Sequence, residues 1–418
     1  MDFSIDYNEK QEEFAKEVRA WLDENIPEGI VHGKDVNKMS DEQWEKRREF
    51  CRRLGQKGWL YPGFPPEYGG GGLEGDHRSV LYKELAKRGF SSPPHYDSGK
   101  LAAPTIMVCG TEEQKKKMLP PMLRGEVTTW QLFTEPEAGT DEANQQTNAL
   151  RIKKEGDHFI VNGSKIFVGG NRRPPDQFLL LTRSDVDAPR HRNLAMFIAP
   201  ADLPGISIYP LDLFPVGTIG QVWNESADPA PGQKNSVFFE DVKIHESCLI
   251  GGDHDGWKVA TATLTVEHGD RSGEHVESGG VYVPQNTLVD KFLDQCKNNP
   301  VIKQRIKDNP HLLESVVDVY IGGQIDRLLE TRNAWLPRSG KRTPYAGPQH
   351  ALFAKMFGME LTEHMAKVLG PYALTDDEEQ GFENGFFEVG SRSGVCIAPG
   401  GTPEALKIVI SRALRIGR

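Results

Sequence analysis

The chain has 418 residues, with 50 Lys and Arg against 60 Asp and Glu and a formal net charge of −10. That length suits about three domains, and no run of about 20 apolar residues suggests a membrane span. The acidic balance argues against nonspecific nucleic-acid binding, which runs on a basic surface, but it leaves room for an anionic ligand held by local cations. Cysteines stand at 51, 109, 248, 296 and 396, none at CxxC spacing. Neither a zinc knuckle nor a disulfide framework is expected, and a reduced, cytoplasmic setting fits. The opening Met1-Asp2-Phe3-Ser4-Ile5-Asp6 lacks the basic-then-apolar order of a secretory signal.

Residues 1 to about 127 read as helical. Phe14, Val18, Trp21 and Leu22 recur at i, i+4, i+7 and i+8, on one helix face, and Pro27 ends that helix. Residues 41–59 repeat the idea with Trp44, Phe50, Leu54 and Trp59 among many charges. Pro62, Pro65, Pro66 and glycines 69–72 form a loop, and Thr111 with Gln114 has capping-box spacing. From about 128 to 248 the pattern changes to strands. Residues 159–161, 178–181, 194–198, 206–209 and 237–239 are short apolar runs separated by Pro, Gly and Asp. They predict a small all-β domain, with residues 217–234 as a long loop. From Gly256 the chain returns to helix, and Phe353, Phe357, Leu361, Met365 and Leu369 mark one face. Residues 296–311, polar and bounded by proline, read as a connection.

Thr134-Glu135-Pro136-Glu137-Ala138-Gly139-Thr140-Asp141 carries the most chemistry. Pro136 fixes one backbone angle, Gly139 permits angles that other residues resist, and Thr140 and Asp141 bring a hydroxyl and a carboxylate to the turn. The run resembles the T-E-P-x-A-G-[ST]-D signature of the acyl-CoA dehydrogenase family at every fixed position. Asn162-Gly163-Ser164-Lys165-Ile166-Phe167-Val168-Gly169-Gly170 is similar to the family's N-G-x-K-x-[WF]-I-[TS]-N segment. Phe64-Pro65-Pro66-Glu67-Tyr68-Gly69-Gly70 and 237–251 resemble its W-P-x-E-Y-G-G loop and its scaffold strand and turn.

The resemblance implies an α+β multidomain fold: an N-terminal helical domain (1–127), a middle β-barrel-like domain (128–248) and a C-terminal four-helix bundle (249–418). It implies FAD as cofactor and an acyl-CoA thioester as substrate, oxidised to the 2,3-enoyl-CoA. Electron-transferring flavoprotein would take the electrons, in a homo-oligomer or a heteromer with a related subunit. Leu132, Phe133, Thr134, Gly139 and Thr140 would lie against the flavin, with Thr140 also near the thioester. Phe167 would pack on the flavin with Val168 and Gly169 beside it, although Gly169 lacks the family's hydroxyl. Thr402 and Glu404 match the flavin-contacting part of a C-terminal turn, and a helix start, with Thr402 as N-cap and Pro403 at the first position, explains them equally. A backbone N–H near Gly401 would polarise the thioester carbonyl.

The base is the main departure. In many members it is a Glu of that C-terminal turn, and here the position is Gly400. A minority carries it on a helix of the C-terminal domain, where this chain has Leu264-Thr265-Val266-Glu267-His268. Glu267 is therefore the candidate base, expected to be buried beside the flavin. His268 stands where the family has an Arg for CoA, and Arg271 is a possible substitute. Asp97 and Lys100 are read either as exposed surface residues or as the floor of the acyl pocket. The family's subunit-bridging glycine turn and adenine-side segment are absent from 367–371 and 283–288, as in divergent members acting on bulky, branched or cyclic acyl groups.

Overall fold

A computed structural model of the chain describes residues 7–30, 40–88, 90, 99–151, 157–169, 173–213, 233–267, 287–338, 343–375, 387, 388, 391 and 401–416. Among these residues five α-helices come first: α1 (Glu9–Asn25), α2 (Asp41–Gln56), α3 (Gly75–Lys87), α4 (Gly99–Cys109) and α5 (Glu112–Leu123). The starts of α1, α2 and α5 are set by short polar side chains that satisfy free N–H groups of the first turn. Thr111 and Gln114 form the reciprocal capping box, with bonds of 3.0 and 3.2 Å. Asn8 and Gln11 do the same for α1, which buries Val18 and Leu22 and stops just before Pro27.

The middle of the chain is an eight-stranded sheet built from β1 (Thr129–Leu132), β2 (Asn148–Arg151), β3 (His158–Val168), β4 (Gln177–Arg183), β5 (Leu194–Pro200), β6 (Ile206–Asp212), β7 (Gln233–His245) and β8 (Leu249–Ile250). Its order is β6-β7-β3-β2-β4-β5-β8, with β1 pairing parallel to β4. Side chains of β4 alternate between two cores, as strand geometry requires. Leu179 and Leu181 join the core of the N-terminal helices, while Phe178 and Leu180 join a second core with Trp130, Phe159, Phe197 and Phe239. Burial on both faces explains why β4 reads as an unbroken apolar run.

Among the described residues six α-helices follow: α6 (Gly256–Glu267), α7 (Thr287–Asn298), α8 (Pro300–Asp308), α9 (Leu312–Arg338), α10 (Ala346–Leu369) and α11 (Pro403–Ala413). Val259 and Ala260 place α6 in the first core, against α4 and β5. A 2.8 Å bond joins Thr105 of α4 to Thr263 of α6. A third core unites α7, α8, α9 and α10 around Phe292, Ile302, Val319, Phe357 and Leu361.

One expectation is corrected here. Residues 296–311 are not a plain connection, because α8 occupies Pro300–Asp308. Asn299 caps it by accepting from the Val301 and Ile302 amides, and Pro300 at the first position has no N–H to satisfy. The predicted loop 217–234 lies almost wholly outside the described residues.

Candidate active site

The 134–141 turn is anchored from behind by a buried polar cluster. Lys165, fully buried on β3, donates to Glu135 Oε1 at 2.7 Å and to the Phe133 carbonyl at 3.1 Å, and also bonds Gln145 Oε1. Glu135 accepts from the Thr147 amide at 3.1 Å. Gln145 Nε2 returns to the Phe133 carbonyl at 3.1 Å and to the Glu142 carbonyl at 2.8 Å. Burial penalises the charged form of Lys165 and pulls its pKa down to about 8, although the Glu135 carboxylate opposes that shift. Such a cluster holds a loop in one geometry because each member would be costly to leave unpaired.

Beside the turn, β3 brings up its aromatic. The Ile166 amide donates to the Thr134 carbonyl at 3.0 Å, which ties strand to turn. Between Lys165 and Val168 the β3–β7 register slips, two residues facing one, and the bulge re-aims Phe167. Phe167 has φ +58° and is 52% exposed. An aromatic held in a conformation L residues resist, and left half in the open, suits a planar ligand laid against it. A Cβ on Gly139 would meet no atom within 4 Å, so the turn leaves open space there. Gly169, at φ +65°, backs onto Trp130 so closely that a Cβ would lie 2.6 Å from the indole. The missing hydroxyl thus has a steric cause in β1.

Glu267 ends α6 and reaches the same region. Gln131 Nε2, on β1, donates to Glu267 Oε2 at 3.1 Å. Its side chain is exposed rather than buried. A further carboxyl directly after the turn is that of Glu142, a half-buried residue. Its Oε2 is buried without a hydrogen-bond partner, and its pKa is pushed up to about 7, by burial first and then by the negative charge of Glu267. Motif reading stopped one residue short of it. Gln131 was missed too, because its partner is 136 positions away.

Leu132 and Phe133 are buried and support the turn, while Gly139 and Thr140 are exposed on it. Asp141 is bonded by Arg190. Thr402 caps α11 by accepting from the Ala405 amide at 3.3 Å, with Pro403 at the first position and Glu404 in the first turn. Gly401 precedes it with φ +90°. Helix α11 packs on α10. Lys100 is exposed in the first turn of α4. Gly400, His268, Arg271 and Asp97 lie outside the described residues.

The family model for the acyl-CoA dehydrogenase N-terminal domain matches residues 8–126, and the one for the acyl-CoA dehydrogenase middle domain matches residues 131–221. The chain belongs to the acyl-CoA dehydrogenase family. Among curated relatives of that family, the acyl-CoA dehydrogenase IpdE1 of Mycobacterium tuberculosis is 32% identical over 261 residues, 62% of this chain and 63% of the relative. The acyl-CoA dehydrogenase FadE29 of the same organism is 31% identical over 264 residues, 63% of this chain and 62% of the relative. The matched stretch therefore spans less than two thirds of either relative. Among solved structures, the Tcur3481-Tcur3483 steroid ACAD aligns over 100% of both chains, with a TM-score of 0.73 and 26% identity. The acyl-CoA dehydrogenase fold expected from the motifs is the fold found. Among the described residues, no helix is long and apolar enough to cross a membrane.

Proposed function

We propose that this chain dehydrogenates an acyl-CoA thioester between its α and β carbons, with FAD as cofactor and Glu267 as base. The reading rests above all on one convergence: the 134–141 turn, the bulged aromatic Phe167 and Glu267 meet around β1, through the Ile166–Thr134 and Gln131–Glu267 bonds. Half-exposed Phe167 and the open space at Gly139 fit a planar group with a polar chain attached. Phe167, Val168, Gly169, Thr134 and Thr140 would hold the flavin, with Thr402 and Glu404 of α11 as further contacts. A bound flavin supplies the acceptor for the two electrons and the β hydrogen. Glu267 takes the α proton as general base. A backbone N–H near Gly401 stabilises the charge that develops on the thioester oxygen. The exposure of Glu267 supports direct access to substrate.

A bulky, branched or cyclic acyl group is the proposed substrate, in keeping with the steroid enzyme among the structural neighbours. Electrons pass to an electron-transferring flavoprotein. The protein works as an oligomer, with itself or with a related subunit. The test is an anaerobic titration of the purified yellow protein with a panel of acyl-CoAs. Bleaching by one class of thioester, lost in Glu267→Gln with FAD retained, is the expected result. Normal bleaching in that variant would remove Glu267 as base, and a colourless or unresponsive protein would point to a supporting subunit.

A further inference from the structure

Strand β1 runs between two cores, and its side chains alternate between them. Trp130 and Leu132 belong to the second core and Phe133 to the first. Gln131 is in register with Leu179 of β4, another member of the first core. It is therefore the polar residue on the face of β1 that the first core covers, and Val259 and Ala260 of α6 lie in that core. On α6, Gly256, Ala260 and Thr263 are buried. Glu267 continues their steps of four, three and four, so it stands on the same side of the helix. One turn before Glu267, the buried hydroxyl of Thr263 meets that of Thr105 on α4 at 2.8 Å. This contact registers α6 against α4, so the Glu267 backbone has a fixed place and only its side chain remains to be aimed. Gln131 Nε2 supplies the aim, donating to Glu267 Oε2 at 3.1 Å. Gln131 is half-buried and Glu267 exposed, so the donor is the anchored partner and the carboxylate the mobile one.

We propose that Gln131 is the positioning residue for the base: its carboxamide holds Glu267 Oε2 so that Oε1 is the oxygen that meets the α proton. This rests on the assignment of Glu267 as base made above. Among the described residues Oε1 accepts no hydrogen bond. In the transfer the α C–H bond breaks, the proton goes to Oε1, and the electron pair moves toward the thioester carbonyl. A donor to a carboxylate favours its charged form, so on its own the Gln131 bond makes Glu267 a weaker base. One such bond is worth about ten-fold or less in an equilibrium. Misplacing a reacting group by about 1 Å can cost about a hundred-fold in rate. Orientation therefore outweighs the loss of basicity. The same strand leads into the Thr134 turn three residues later, so β1 sets the turn and the base together.

The test compares the full chain with Gln131→Met, Glu267→Asp, the two combined, and Glu267→Gln. Methionine keeps the length of glutamine and removes the donor. In Gln131→Met the limiting rate of anaerobic flavin reduction by acyl-CoA should fall about ten-fold or more. Bound FAD and the acyl-CoA concentration for half-maximal bleaching should stay within about two-fold, a split that a general loss of structure would not give. The isosteric Gln131→Glu should fall at least as far, which keeps the test open if methionine disturbs β1. Glu267→Asp retains a carboxylate but draws it back from Gln131, so adding Gln131→Met there should slow reduction no further. A second full ten-fold loss would mean that Gln131 acts on flavin or substrate directly, and would overturn the positioning role. An unchanged rate in Gln131→Met and Gln131→Glu, with Glu267→Gln inactive, would overturn it too and leave the base in place. Normal bleaching in Glu267→Gln would overturn base and positioning together. The contact itself has a readout that needs no turnover. In the 15N-labelled chain, the carboxamide resonance that disappears in Gln131→Met should shift in Glu267→Gln, with or without FAD. A resonance that stays in place would overturn the contact.

Discussion

Gly169 and Trp130 are two halves of one local solution. The indole of Trp130 fills the space that any side chain at 169 would need, and the +65° φ of Gly169 resists substitution independently. Gly169→Ala should therefore cost about 2–4 kcal/mol in denaturant unfolding, from overpacking plus backbone strain. A loss under about 0.5 kcal/mol would mean that β1 yields easily. Lys165 makes the opposite kind of case, since its role is to neutralise. Lys165→Met leaves Glu135 buried without its counter-ion and should cost about 3–5 kcal/mol, most of it regained by adding Glu135→Gln. If the double variant is no better than the single, the cluster is held by shape rather than by charge. The turn motif was legible at this scale because its chemistry is local. Glu142 was not, because what sets it apart is burial and the approach of Glu267 from α6, and neither is written next to it in the chain.

Elements were legible where their signals lie within one segment. The 3.6-residue stripe of α1 and the capping box of α5 both appear as read. Helix α8 was overlooked because its nine residues bury Ile302 alone, so periodicity is faint. Its start signal, Asn299-Pro300, was present and outweighed by the polarity around it. That cap should be measurable: Asn299→Ala is expected to cost about 1 kcal/mol, because the amides of Val301 and Ile302 lose their acceptor. Hydrogen exchange confined to the first turn of α8 would report it directly, and unchanged exchange there would show the cap to be dispensable. The bulge in β3 could not have been read from its own residues. Two-against-one pairing depends on the register of β7, about 70 positions later, and only that slip turns Phe167 outward.

At the scale of the molecule, α9 is apolar on two sides. One side presents Val319, Gly322 and Gly323 to the third core, where Gly322 lies against Phe357 and Gly323 against Val289. The other carries Leu313, Val317, Tyr320, Ile321, Ile325 and Leu328, all exposed, at spacings that form a single stripe. A helix that is apolar all round belongs in an interior, and a continuous exposed stripe marks an association surface. A second subunit of the same fold is the proposed cover, consistent with the oligomer proposed above. Replacing Tyr320 and Ile321 together with Glu puts two charges in the stripe without touching the side that faces Phe357. Sedimentation should then show the assembly falling to smaller species while circular dichroism keeps its helical signal, because burying unpaired charge in an interface costs several kcal/mol. An unchanged sedimentation coefficient would place the contact elsewhere. A lost helical signal would mean that α9 needs this face for its own fold, and the interface reading would fall with it.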